Sequence, residues 1–108
     1  MAAVDAVFVA LADPTRRRMV ETLAQGSTVT ASAFAADLPI SRQAVAKHLV
    51  ALRQAGLVKG RRVGRETRYT LHPEPLGDAA GWIARVGAEW DERLRDLDRL
   101  LGADSRRD

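Results

Sequence analysis

The stretch SRQAVAKHLVALRQAGLVKGRRVGRETRYTL, residues 41–71, decides the fold, because its first half repeats with the period of a helix and its second half alternates like a hairpin. Ser41 is placed to cap a helix by accepting a hydrogen bond from a free N–H one turn on, and Gly56 supplies the left-handed residue that ends it, so the helix is expected over 42–55. At about 100° per residue, Val45, Leu49 and Leu52 form one stripe with His48 at its edge. That stripe belongs in a core. Gln43, Lys47 and Gln54 stand opposite, with Ala46 and Val50 beside them. Long polar arms separated by small side chains make a face that fits a groove.

The hairpin follows Leu57. With Gly64 and Arg65 as its turn residues, Val63 pairs with Glu66, Arg61 with Arg68, Gly60 with Tyr69 and Val58 with Leu71. This register turns Val58, Tyr69 and Leu71 toward the core and leaves Lys59, Arg61 and Arg68 on the other face. Arg61 and Arg68 then sit directly opposite one another, a like-charge pair that weakens the hairpin and that a polyanion would relieve.

Charge supports the same direction. The 17 basic residues exceed the 14 acids by only three, but eight of the basic residues fall within 41–71 against a single acid, Glu66. The remainder of the chain is net acidic. A basic patch on an otherwise acidic protein is the electrostatic footprint of phosphate binding. At 108 residues and 46% hydrophobic, the chain is one domain with a modest core, which an intertwined dimer would help to stabilise. It contains no cysteine, hence no disulfide, thiolate metal site or thiol redox chemistry. Neither a signal peptide nor an apolar run long enough to span a bilayer is evident, so a cytoplasmic location without membrane contact is expected.

Upstream, Val4, Val7, Phe8 and Leu11 recur at helical spacing, giving a first helix over 2–12. Asp13 caps a second helix that Pro14 opens, Met19, Val20 and Leu23 face inward, and Gly26 closes it. Arg16, Arg17 and Arg18 oppose the dipole of that helix, which leaves two readings: local pairing, as of Arg17 with Glu21, or contact with backbone phosphates. Residues 27–29 can add a short strand beside the hairpin. Thr30 can cap a third helix to Leu38 with Phe34 and Leu38 inward, and Pro39 and Ile40 turn the chain into Ser41. The fold class is therefore α+β and mostly helical: a helix-turn-helix over 30–55, with a wing over 57–71.

Three segments, ALADPTRRRMVETLAQG, DLPISRQAVAKHLVALRQAGLV and GRRVGRETRYTL, together resemble the ArsR-type winged helix-turn-helix repressors of bacteria, over about residues 8–101. The resemblance implies a homodimer that binds an inverted-repeat operator in double-stranded DNA and blocks transcription. Metal-sensing members carry a Cys-x-Cys pair on the third helix, where this chain has Thr30 and Ser32, neither a soft ligand. Others use Asp and His on the last helix, but no histidine follows His72. His48 reads as a packed or phosphate-facing residue rather than a ligand. No metal site and no cofactor are expected, and an unknown small-molecule or protein effector is left open.

The last stretch, 75–101, reads as one helix of about 40 Å. Leu76, Ala79, Ile83, Val86, Gly87, Trp90, Leu94, Leu97 and Leu101 fall on one stripe, longer than one small winged domain covers, while Arg85, Glu89, Glu92, Arg95, Asp96 and Arg99 pair across turns on the other side. The stripe is expected to form a dimer interface with the first helix, through Phe8, Ile83, Val86, Trp90, Leu94, Leu97 and Leu101. Gly87 would permit close helix approach, Trp82 would touch the DNA-binding core from the stripe's shoulder, and residues 103–108 would fray.

An enzyme is not expected, since neither histidine has a nucleophile or carboxylate partner in a motif and no phosphate loop is present. A winged helix that docks only proteins is the alternative, because fold does not dictate function. The polar helix face favours DNA. Gln43, Lys47 and Ala46 are expected to read bases, and Ser41, Arg42, His48, Arg61, Arg65 and Arg68 to hold the phosphate backbone.

Overall fold

The computed structural model describes residues 2–105. Helix α1 (Ala2–Leu11) turns at Asp13 into α2 (Pro14–Ala24), and strand β1 (Val29–Thr30) leads directly into α3 (Ala31–Asp37). Helix α4 (Arg42–Gln54) is followed by strands β2 (Val58–Val63) and β3 (Glu66–Leu71), and α5 (Glu74–Ser105) completes the chain.

Each boundary has a local cause. Asp13 Oδ1 accepts from the backbone N–H groups of Thr15 at 2.8 Å and Arg16 at 3.1 Å, with Pro14 in the first turn. Thr30 Oγ1 accepts from Ala33 N and Ser41 Oγ from Ala44 N, each at 3.1 Å, so both expected caps form. At the far end of α4, Gly56 adopts φ 75°. Its N–H donates to Arg53 O and that of Leu57 to Leu52 O, both at 2.9 Å, the paired closure of a Schellman motif. Helix α3 stops at Asp37, just short of the Leu38 expected as its end, because Leu38 is already extended ahead of Pro39.

The sheet is antiparallel in the order β1-β3-β2. Its hairpin has the register derived above: Val58 with Leu71, Gly60 with Tyr69, Arg61 with Arg68 and Val63 with Glu66. Gly64 carries φ 63° and Arg65 a negative φ, as in a type II′ turn. The first strand lies at Val29 and Thr30, paired with Tyr69 and Arg68, not at 27–29. Its place follows from what β3 offers for pairing, since a two-residue strand has no period of its own.

Val7, Met19, Leu23, Phe34, Val45, Leu49, Leu52, Leu57 and Val58 make one buried cluster, with Ala79 joining from α5. The stripe assigned to α4 is thus buried as expected, and Tyr69 and Leu71 cover the cluster half-buried. Beyond Ala79 the last helix leaves the core. Its residues 80–101 are all exposed, and the molecule measures 73 × 27 × 22 Å as a result. Of the segment 103–108 expected to fray, helix α5 takes in the residues up to Ser105, and 106–108 lie outside the described residues. Trp82 meets Phe8 of α1 edge to face, with ring centroids 5.4 Å apart. It therefore touches the first helix. No described helix is long and apolar enough to cross a membrane.

Candidate nucleic-acid interface

Burying Val45, Leu49 and Leu52 fixes the rotation of α4 and forces its opposite side outward. Gln43, Ala46, Lys47 and Val50 are all exposed on that side, and Ser41 and Arg42 are exposed at its N-terminal end. Because the Ser41 oxygen is occupied as a cap, its hydroxyl hydrogen remains to donate outward. The structure thus gathers Arg42, Gln43, Ala46, Lys47 and His48 on α4 with Ser41 as its cap, His48 being half-buried at the margin.

Beside it the wing presents Lys59, Arg61, Arg62, Arg65 and Arg68, every one exposed. Arg61 and Arg68 face each other across the ladder. Arg68 Nε lies 4.0 Å from Glu66 Oε2, an ion pair between exposed groups that holds the guanidinium only weakly. Arg62 donates through Nε to Gly64 O at 3.3 Å and so stiffens the turn.

Neither expected role for the arginine run at 16–18 covers what Arg16 and Arg17 do. Arg16 donates from Nε to Ala10 O at 2.6 Å and from Nη2 to Val9 O at 3.1 Å, while Nη1 stands 3.4 Å from His48 Nδ1. Arg17 donates from Nη1 to Leu11 O at 2.6 Å, not to Glu21. Both satisfy carbonyls at the end of α1, which has no basic residue in its own last turn, and both place a cation at the negative end of that helix dipole. The unfavourable position at the start of α2 is favourable with respect to α1. An uncapped helix end followed at once by a two-residue turn was the signal for this.

A guanidinium only donates, so His48 Nδ1 is the acceptor and the ring proton sits on Nε2, directed away from Arg16. Asp13 lies at the same junction. Its carboxyl is held below the ordinary value of 3.8, chiefly by the hydrogen bond from the Arg16 N–H and further by that from Thr15 and by the charge of Arg16, against partial desolvation. His72 Nε2 lies 3.7 Å from Glu74 Oε2, far along the chain from His48. Among the described residues, no three His, Asp or Glu side chains come together in a cluster that could hold a metal.

On α5, Ile83, Val86, Trp90, Leu94, Leu97 and Leu101 are exposed along one side, Trp90 at 60%. Phe8 is half-buried against Trp82. Asp96 and Arg99 pair on the polar side of the helix.

Residues 11–61 match the helix-turn-helix domain family. The HTH-type transcriptional regulator Rv2034 of Mycobacterium tuberculosis is 46% identical over 100 residues, spanning 93% of this chain and 90% of that protein. The chain belongs to the ArsR-type winged helix-turn-helix transcriptional regulators. The transcriptional repressor SdpR of Bacillus subtilis is 35% identical over 88 residues, 82% of this chain and 97% of its own length. Among solved structures, an ArsR-like transcriptional regulator from Rhodococcus superposes with a TM-score of 0.79 at 43% identity, covering 92% of each chain. The homodimeric winged helix-turn-helix DNA-binding domain Mb0332 from Mycobacterium bovis superposes at 0.63 with 32% identity, covering 86% of this chain and 82% of its own.

Proposed function

We propose that this ArsR-type regulator is a homodimeric repressor that binds an inverted-repeat operator, with α4 in the major groove and the wing along the adjacent backbone. The observation that carries the reading is the outward side of α4, where Gln43 and Lys47 are exposed beside a wing whose basic residues are all exposed as well. Gln43, Ala46 and Lys47 read base edges. Ser41, Arg42, His48 through its Nε2–H, Arg61, Arg65 and Arg68 hold phosphates.

The dimer forms through the segments 2–12 and 75–101, carried by α1 and α5, with Phe8, Ile83, Val86, Trp90, Leu94, Leu97 and Leu101 at the contact. The length of the exposed apolar side of α5 supports this, as does the homodimeric Mb0332 domain. SdpR, a repressor by name, supports repression as the outcome. The protein acts by occupying DNA in the cytoplasm and catalyses no reaction. Metal does not release it. The position that carries a cysteine in metal sensors of the family is Thr30, whose hydroxyl already caps α3, and the chain has no cysteine.

A gel-retardation assay with the DNA upstream of the protein's own gene tests the proposal. A discrete complex that survives excess unrelated DNA is expected. Equal loss of binding to operator and unrelated DNA would overturn it.

A further inference from the structure

The large apolar side chains left exposed among the described residues fall in distinct places. Val9 lies on α1, Trp82, Ile83, Val86, Trp90, Leu94, Leu97, Leu100 and Leu101 on α5, Val63 at the hairpin end, and Val50 on α4. The α1 and α5 positions lie on the two helices of the proposed dimer. Val50 does not.

It is 54% exposed, and at about 100° per residue it falls between Ala46 and Gln54, within about 20° of the line through Gln43. A branched aliphatic side chain therefore stands among the polar arms of Gln43, Lys47 and Gln54, with only the small Ala46 as apolar company. Against most base edges this is a poor match, because covering a donor or acceptor with a hydrocarbon strips it of water without replacing the hydrogen bond. The major groove has one apolar feature, the C5 methyl group of thymine.

We infer that Val50 reads a thymine methyl group in each operator half-site. The inference rests on the proposal that α4 enters the major groove. Val50 lies seven residues beyond Gln43, about 10 Å along the helix axis, which sets the thymine at a different base pair of the same half-site from the one that Gln43 reads. Hydrogen-bonding arms at Gln43 and Lys47 and a methyl contact at Val50 then divide one half-site between polar and apolar readout.

The experiment selects bound duplexes from a randomised DNA pool with the wild-type protein, then replaces each thymine of the selected site in turn by deoxyuridine, which removes only the methyl group. At one position in each half-site, uracil is expected to weaken wild-type binding about fourfold, the worth of one buried methyl, and about fifteenfold when both half-sites are changed. Val50→Ser should bind the thymine and uracil duplexes equally. Val50→Thr, which keeps one methyl, should still prefer thymine. A selected site at which uracil has no effect anywhere, or has the same effect in wild type and Val50→Ser, overturns the inference while leaving DNA recognition intact. Failure to enrich any sequence overturns both together.

Discussion

Arg16 Nη1 stands 3.4 Å from His48 Nδ1, although the two residues are 32 positions apart, and the same guanidinium holds the Val9 and Ala10 carbonyls that end α1. One side chain thus ties α1 to α4, at the residue next to Lys47. The tie consists of hydrogen bonds, those to Ala10 and His48 half-buried and that to Val9 exposed.

Arg16→Ala removes a cation and its donors from the end of α1, and should lower unfolding stability by about 1 to 2 kcal/mol. Arg16→Lys keeps the charge without the planar fork and should fall between. Urea denaturation of the three proteins measures this. Midpoints that coincide would show that the junction does not depend on the guanidinium.

Asp13 makes stability depend on acid. Its carboxyl titrates below 3.8 in the fold and near 3.8 when unfolded, so its stabilising effect is fully present above that pH and disappears as pH falls through the lower, folded value. Asp13→Asn retains a cap oxygen but has no proton to take up. Wild type should melt higher than Asp13→Asn at neutral pH, and the gap should close below pH 3.8. A gap independent of pH would assign the difference to packing.

The caps at Asp13, Thr30 and Ser41 and the hairpin register were legible in the sequence because each depends on neighbours within a few residues, a side-chain oxygen before free N–H groups or a glycine between alternating strands. The rotation of α4 was legible from Val45, Leu49 and Leu52 alone. What lay outside that reach depends on tertiary packing. The bond from Arg16 to His48 exists only once α2 and α4 have come together, and Val29 and Thr30 become a strand only because β3 lies beside them. Arg17 illustrates the same limit: its helical neighbour Glu21 was the local choice, but the end of α1 was nearer.

Dimerisation through α5 predicts that Trp90→Glu and Leu94→Glu leave the fold of the protomer unchanged, since both positions are exposed within it, and cost the dimer about 3 to 5 kcal/mol by burying an unpaired charge. Sedimentation should give a dimer for wild type at micromolar concentration and a monomer for each variant, with operator affinity falling in parallel. A wild-type monomer would remove α5 from the mechanism.

Zinc, cadmium and arsenite should each leave a preformed complex with DNA intact, because Thr30 and Ser32 offer no thiolate and Thr30 is engaged as a cap. Titration followed by fluorescence anisotropy tests this. Stoichiometric release by any of them would reveal a ligand set assembled in another way.

Base reading and backbone holding separate in their dependence on salt. An amide at Gln43 suits the paired donor and acceptor of adenine, and the ammonium of Lys47 reaches guanine acceptors, so alanine at either should relax preference at particular base pairs by about 1 to 3 kcal/mol. Arg68 is different. It faces Arg61 across the wing and is held only by an exposed contact with Glu66, which leaves its charge available to a phosphate. Each such contact contributes about 0.9 to the slope of log affinity against log salt, and a symmetric dimer makes it twice, so Arg68→Ala should weaken binding to all sequences alike and flatten the slope by about 2. Lys47→Ala and Arg68→Ala, measured on operator and scrambled DNA across a range of salt, give both quantities. A change of base preference in Arg68→Ala with an unaltered slope would make the wing a reader, inserted in the minor groove, in place of a clamp on the backbone.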